Sequence, residues 1–322
     1  MKNYGLPYQG SKNRIIPWLI NALPGADTFV DLFAGGCSVS HAAMLSGRFR
    51  HVIANDITDS ALVFRDALHG KFKDERRWIS REDFFRLKDT DAYARLCFSF
   101  GNNQRSYCYS KEIEPYKRAY HYVVCFDDWE PLTELRPDVV PVAKKALNGK
   151  RDLQQRRIAF GSAVMEIQKS LNGNTRSTES KKLESSERLQ SLQRLQHLER
   201  LVNLECLERL NGGGIANIPL DVSQQDYRDV VIPDNSVVYC DPPYKNTKKY
   251  TSTFDHDAFY SWCLDNPHPV FISEYDMPEG FTAIDATPIK NLMNRYKPVS
   301  RIEKLFVQTK FADRYQNPLL MF

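Results

Sequence analysis

The chain has 322 residues, of which 42 % are apolar, and a formal net charge of +4 at neutral pH. That is enough chain for a full core and suggests two domains, and no apolar run approaches the ~20 residues of a spanning helix. Seven cysteines, odd in number and without paired short spacing, argue against a disulfide framework and a zinc site; they fit a reducing cytoplasm, and the amino terminus carries no signal-peptide pattern.

In chain order, the segment Tyr8-Gln9-Gly10-Ser11-Lys12 precedes a short buried strand at 28 to 33. The turn Ala34-Gly35-Gly36-Cys37-Ser38 follows, then a helical run from Val39 to Ser46. Glycines at a strand-to-helix turn let backbone approach a ligand closely, although Gly35 and Gly36 alone fall short of the full dinucleotide fingerprint. A second strand, 51 to 54, ends in Asn55-Asp56. An α/β nucleotide site places its ribose-binding carboxylate there, about 20 residues past the glycine turn. A packing turn beside an ordinary surface Asp is the plainer alternative.

Between about Lys71 and Gly214 the strand-helix alternation gives way to a helix-rich insert. Residues 71–214 hold 27 Lys and Arg against 21 Asp and Glu, whereas the rest of the chain holds 17 against 19. A basic insert in a slightly acidic α/β domain is what a phosphate-contacting module should look like; a solvated helical surface is the competing reading. Within it, Asn102, Asn103, Gln104 and Arg105 lie in a polar loop, and Asn and Arg can read adenine and guanine edges. The stretch 168 to 176, ending in Arg176, is a second polar candidate. Leucine recurs every three residues from Leu189 to Leu210. This period drifts around a helix of 3.6 residues per turn, so core packing is expected rather than a coiled coil.

Beyond the insert, strands at 215 to 222, 236 to 240 and 269 to 273 complete the pattern of a doubly wound, mostly parallel α/β sheet. Asp226-Tyr227 lies between the first two, with Asp226 also able to cap a short helix through Asp229 and Val230. The strand at 236 to 240 runs into Asp241-Pro242-Pro243-Tyr244. Each proline fixes its own φ near ~−65° and restricts the residue before it, so the Asp241 carboxylate and the Pro242 carbonyl form a preset pair of acceptors. An aromatic amine donating both protons to such a pair becomes more nucleophilic, while Tyr244 stacks on its ring. A Pro-Pro turn with Tyr244 in ordinary packing is the alternative. Lys245, Lys248 and Lys249 follow and are candidates for DNA phosphates. Asp255 or Asp257 is expected to cap a helix from Ala258 to Leu264, in preference to a metal role for His256. Tyr275 is a pocket candidate, and 302 to 307 and 318 to 322 read as further strands.

Five blocks taken together, Tyr8 to Lys12, Phe29 to Gly36, Asn55-Asp56, Asp226-Tyr227 and Asp241 to Tyr244, make the chain resemble the adenine-specific DNA methyltransferases of the Dam-like, or D12, class. The resemblance implies a Rossmann-like class I fold dependent on S-adenosylmethionine. Residues 1–70 and 215–322 would form the catalytic domain, with 71–214 as an inserted target-recognition domain. It implies that Tyr8 and Lys12 lie against the cofactor, with Lys12 also near the catalytic pocket. Asp31, Phe33, Gly35 and Gly36 would face the methionine part of the cofactor and Asp56 its ribose. Asp226 would accept from its adenine amine and Tyr227 would cover the ring. Asp241, Pro242, Pro243 and Tyr244 would be catalytic, Asp241 also close to the cofactor, and no metal is implied.

The implied reaction is direct methyl transfer to the N6 amine of an adenine flipped out of duplex DNA, site-specific and without a covalent enzyme intermediate. Cys240 beside Asp241 reads as a buried strand residue. The implied setting is the cytoplasm of a prokaryote or phage host, on double-stranded DNA and not on a membrane, with a cognate restriction endonuclease as a candidate partner. The insert has no close match to the recognition hairpin of the best-known members, so no target sequence is implied beyond its adenine. Four other readings remain open: an amino-cytosine enzyme, which more often has Ser where Asp241 stands; an RNA or protein-glutamine enzyme, which favours Asn there; a catalytically silent DNA-binding module; and a small-molecule methyltransferase.

Overall fold

The computed structural model describes residues 3–173, 193, 196, 198, 201–211, 218–244, 254–290 and 300–315. The expectations for Arg176, Lys245, Lys248 and Lys249, for 318 to 322, and for Leu189, Leu192 and Leu195 lie outside the described residues. The chain divides into two compact units, Met1–Lys71 with Arg209–Phe322, and Phe72–Glu208.

The first unit is built on one seven-stranded sheet. Its strands are β1 (Thr28–Asp31), β2 (His51–Asn55), β3 (Leu220–Ser223), β4 (Ser236–Cys240), β5 (Val270–Glu274), β6 (Phe281–Lys290) and β7 (Ser300–Gln308). They lie in the order β3-β2-β1-β4-β5-β7-β6. Strands β1 to β5 pair in parallel, and β7 runs antiparallel to both β5 and β6. Every residue of β1, β4 and β5 is buried, because a parallel strand covered on both faces must be apolar along its whole length. Side chains alternate between the faces. Val30 and Val238 thus join Phe259 and Cys263 of the helix His256–Asp265 in one core layer. Phe29 and Tyr239, of the opposite parity, stack on each other. Asp31 and Asp241 share that second parity, which sends both carboxylates the same way.

Helices α1 (Ile16–Ala22), α2 (Ser38–Ser46) and α3 (Ser60–Leu68) belong to the first half of this unit, α2 packing on β1 and β2 and α3 on β3. The chain winds outward from β1 to β2 and β3 on one side and from β4 to β5 on the other. The strand order therefore reverses between β1 and β4, and ligands of open α/β sheets bind in the crevice beyond the carboxyl ends at such a point.

The expected strands at 236 to 240 and 51 to 54 are found, that at 28 to 33 leaves the sheet at Leu32, and that at 302 to 307 is longer at both ends. Strand β6 is the addition. Its sequence carries Asp285 and Pro288, and a register shift falls between Ala283 and Asp285; a bulge and a proline are tolerated together on an edge strand.

The second unit is helical, with α4 (Arg81–Leu87), α5 (Ala92–Cys97), α6 (Glu114–Phe126), α7 (Glu130–Leu135), α8 (Val140–Leu147) and α9 (Leu153–Gly173), and helix Val202–Asn211 carries the chain back to the first unit. Of the leucine ladder, Leu198, Leu201, Leu204, Leu207 and Leu210 are all buried. Three residues turn a helix about 60° short of a full turn, so successive leucines occupy successive faces, and burial of each one is core packing. No helix among the described residues is long and apolar enough to cross a membrane.

Candidate active site

At the carboxyl end of β4 the sequence Asp241-Pro242-Pro243-Tyr244 meets Lys12, which sits just before α1 and whose carbonyl accepts from the backbone N–H of Ile15 and Ile16. The Lys12 Nζ is 2.8 Å from Asp241 Oδ1 and 3.0 Å from Glu303 Oε1 on β7. It also donates to the Tyr244 hydroxyl, which in turn donates to Glu303, and lies 4.5 Å from the centroid of the Tyr244 ring. Glu303 is 1 % exposed and its Oε2 has no hydrogen-bond partner. Burial opposes the charge on Lys12, but the two carboxylates more than offset it and hold the ammonium above the usual lysine range. Burial pushes Asp241 up to about 6, with Lys12 pulling against it and Glu303 adding to it. Tyr275 meets Tyr244 edge-on at 4.9 Å between centroids. His256 bridges the carbonyls of Pro243 and Phe254 at 2.8 and 3.1 Å, while Asp255 is the helix cap, accepting from Ala258 N at 3.0 Å.

Beside it, the carboxyl end of β1 carries Asp31. Its Oδ2 accepts from the Ser40 hydroxyl at 2.6 Å, and its Oδ1 is buried without a partner. Burial raises this carboxyl to about 7; the Ser40 hydrogen bond opposes the rise, and the charges of Asp241 and Asp56 add to it. In the glycine turn, Gly35 (φ +49°) donates its N–H to Asp56 Oδ2 at 2.7 Å. Asp56 Oδ1 accepts from both the N–H and the hydroxyl of Thr58. A Cβ on Gly36 would stand 2.4 Å from the Cβ of Tyr8, and one on Gly35 would stand 3.0 Å from its ring. The two glycines therefore make room for the amino-terminal segment, which is pinned by Leu6 N donating to Gly36 O at 2.7 Å.

The D12 class N6 adenine-specific DNA methyltransferase family matches over residues 8–131. The resemblance read from the sequence therefore holds, and it supports an adenine-N6 DNA methyltransferase. The matched stretch takes in Tyr8, Lys12, Asp31 to Gly36 and Asp56; Asp226-Tyr227 and Asp241 to Tyr244 lie beyond it. No curated protein matches the chain.

Among the other residues expected at the cofactor, Phe33 and Tyr227 pack together with ring centroids 5.3 Å apart, and Phe254, Phe259 and Trp262 surround Tyr227. Asp226 caps the single 3₁₀ turn Tyr227–Asp229 by accepting from Arg228 N at 3.0 Å. Both its oxygens also take the Arg228 guanidinium, at 2.8 and 2.9 Å, a pairing that lowers its pKa. In the loop proposed for base edges, Asn103 Oδ1 accepts from the N–H groups of Arg105 and Ser106, and Asn102 Oδ1 accepts from the Cys206 thiol at 3.6 Å. Asn103 Oδ1 thus serves the loop itself, and Asn102 Oδ1 ties the loop to the helix Val202–Asn211. The residue that sequence reasoning missed is Glu303. Its only signal was a carboxylate inside the otherwise strand-like run Ile302 to Val307.

Proposed function

We propose that the chain is a site-specific DNA methyltransferase that moves a methyl group from S-adenosylmethionine to the N6 amine of an adenine turned out of duplex DNA. The observation that carries the reading is the Lys12 ammonium seated between Asp241 and Glu303 against Tyr244, at the end of the strand where the winding direction reverses. The sheet order and the reversed β7 support a class I methyltransferase fold, and the helical unit Phe72–Glu208 is assigned to target recognition.

The residues divide the work by chemistry. Asp241 and the Pro242 carbonyl accept the two protons of the target amine, which localises the nitrogen lone pair. Asp241 does this as a carboxylate, and Lys12 favours that form against the pull of burial. The Tyr244 hydroxyl is fixed by Lys12 and Glu303, so its ring is held in one orientation for stacking. Stacking is worth about 1–3 kcal/mol and offsets much of the few kcal/mol needed to extrude a base. Burial drives the Cys240 thiol well above its usual range, which supports direct transfer without a covalent enzyme intermediate.

S-adenosylmethionine supplies a methyl already activated on a positively charged sulfur. The residues at hand fit such a ligand: the charges of Asp241 and Asp56 add to the upward shift of the Asp31 carboxyl, and the buried Oδ1 of Asp31 lacks a partner. Asp31, Phe33, Gly35 and Gly36 would hold its methionine part together with Tyr8 and Lys12, and Asp56 its ribose. Asp226 and Tyr227 would hold its adenine, with Asp226 sharing its oxygens between that amine and Arg228.

Incubation with labelled cofactor and with methylated or unmethylated duplexes tests the reading. It predicts label recovered as N6-methyladenine from the unmethylated duplex. Asp241→Ala is expected to cut transfer at least ~10³-fold, the scale of losing a preorganised polar contact at a reacting group, while the protein remains folded. Label in cytosine, RNA or protein, or full activity in Asp241→Ala, would overturn it.

A further inference from the structure

The second unit carries a feature that none of the site residues uses. Around the end of α6, the α8–α9 turn and the start of α9, two adjoining hollows of about 330 and 570 Å³ share Asp127, Arg151 and Arg156 in their walls. Arg76 lines one, and Trp129, Lys144 and Lys150 line the other. Asp127 is the only carboxylate among the lining residues.

That carboxylate is already neutralised. Asp127 accepts from Arg156 Nη2 at 2.8 Å and from the Trp129 indole N–H at 3.2 Å. Arg156 is fixed further by donating to the carbonyls of Val123 and Val124 at 2.6 and 2.8 Å, so it forms a rigid wall. Lys144 lies 5.3 Å from the centre of the Trp129 ring. The α8–α9 turn passes through Gly149 at φ +72°, with open space around it, and Lys150 and Arg151 in that turn are exposed. The neighbouring Asp152 is engaged in capping α9, accepting from Gln155 N at 2.9 Å. A concave surface with exposed cations, a fixed guanidinium and an aromatic wall is suited to phosphates spaced along a chain. The paired hollows are also larger than one small anion would fill.

We propose that this cleft seats backbone phosphates of the duplex DNA substrate, with Lys144, Lys150 and Arg151 as the contacting cations. The assignment rests on the methyltransferase reading and concerns how the substrate is gripped, not how it is read. Phosphate contacts position a duplex without carrying sequence information, so their loss weakens all sequences alike.

The test uses the full chain, two unrelated fluorescent duplexes and binding measured across a salt series. Each lost phosphate contact lowers the slope of log affinity against log salt by about 0.9. Lys150→Ala/Arg151→Ala is expected to flatten the slope by about 2 and to weaken both duplexes about 10-fold or more. The KM for DNA should rise with kcat unchanged at saturating DNA. Lys73→Ala/Lys111→Ala, the same charge change at exposed positions elsewhere in the unit, should leave the slope essentially as it is in the wild type. An unchanged slope in the first variant, an equal loss in the second, or displacement of duplex by millimolar inorganic phosphate alone would overturn the proposal. If the wild-type protein transfers no label to any duplex, the methyltransferase reading falls instead; if it does and Lys150→Ala/Arg151→Ala binds normally, only the cleft falls.

Discussion

In the second unit, the buried His121 donates through Nε2 to the Arg76 carbonyl at 2.7 Å and accepts at Nδ1 from the Asn203 amide at 2.9 Å, while Tyr109 donates to Asn203 Oδ1 at 2.8 Å. Each donor has one acceptor, burial holds His121 neutral by pushing it down to about 4, and none of these three side chains carries a charge. In the first unit, Lys12, Asp31, Asp241 and Glu303 are buried or nearly so. They enclose one cation among three carboxylates, and Asp31 and Glu303 each keep an oxygen without a partner. A polar network that satisfies itself specifies a core. One that is charged and incomplete is held there by the rest of the fold, and it marks where a ligand completes it.

Lys12→Met probes this contrast most severely. It strands Asp241 and Glu303 without their shared cation, and removing one partner of a buried ionic set costs about 3–5 kcal/mol. Urea unfolding should register that loss. The acid limb of the activity profile should move above about pH 6, because the lysine was what opposed protonation of Asp241. Asn203→Ala is the counterpart in the second unit. It takes the Asn203 side chain from His121 Nδ1 and from the Tyr109 hydroxyl proton, at about 1–3 kcal/mol, and should not move the pH profile at all. A profile that shifts with Asn203→Ala and stays put with Lys12→Met would erase the distinction drawn between the two networks.

Asp31→Asn sharpens the same contrast through linkage. The Asp31 carboxyl titrates near 7 in the folded chain against an ordinary 3.8. The folded state therefore binds the extra proton between those values. The stability this gives is present in full below about pH 4 and is lost as the pH rises through about 7. A carboxyl displaced that far loses on the order of 4 kcal/mol across this window. Asparagine cannot titrate, so the difference in unfolding free energy between pH 5 and pH 8 should shrink in the variant, whatever its absolute stability. An undiminished pH dependence would show that Asp31 is not the group responsible. Activity should fall, since the same unsatisfied carboxylate is proposed to meet the cofactor.

The parts of this site that could be read from the sequence are those encoded by neighbours in the chain. The Pro-Pro pair fixes Asp241 and Tyr244 locally, and the spacing from Gly35 to Asp56 follows from one strand-turn-helix-strand unit, so both were legible. The central strands were legible because double-sided burial makes them continuously apolar. Glu303 was not, because its role depends on β7 being inserted between β5 and β6 in the reverse direction, a pairing that no local pattern specifies. Strand β6 was hidden by Pro288 and its bulge. The glycine turn was read as open to a ligand, and only the packed structure shows Tyr8 lying against both glycines.

Glu303→Gln has a smaller expected effect, because the amide keeps the shape and can still accept from Lys12 and Tyr244. What it removes is a charge that helps hold Asp241 up at about 6. The acid limb should therefore move to lower pH, opposite in sign to Lys12→Met. The drop in kcat should be about 10-fold, equivalent to roughly one net hydrogen bond to a charged group. A shift to higher pH would mean that Glu303 acts on Asp241 by something other than its charge.

Asp226 and Arg228 give the mildest test, because their pair is on the surface and screened by solvent. Neither Asp226→Ala nor Arg228→Ala should move the melting temperature by more than a few degrees. Their effects on cofactor use should nevertheless be opposite. Both Asp226 oxygens are now occupied by the Arg228 guanidinium, so an amine arriving at Asp226 must share them. Arg228→Ala removes that competition and is expected to lower the KM for the cofactor, whereas Asp226→Ala removes the acceptor and is expected to raise it, kcat being unchanged in both. If both substitutions raise KM alike, the arginine is orienting the carboxylate rather than competing for it, and Asp226 binds through an ion pair kept intact. If neither changes KM, Asp226 is only the cap of its short helical turn.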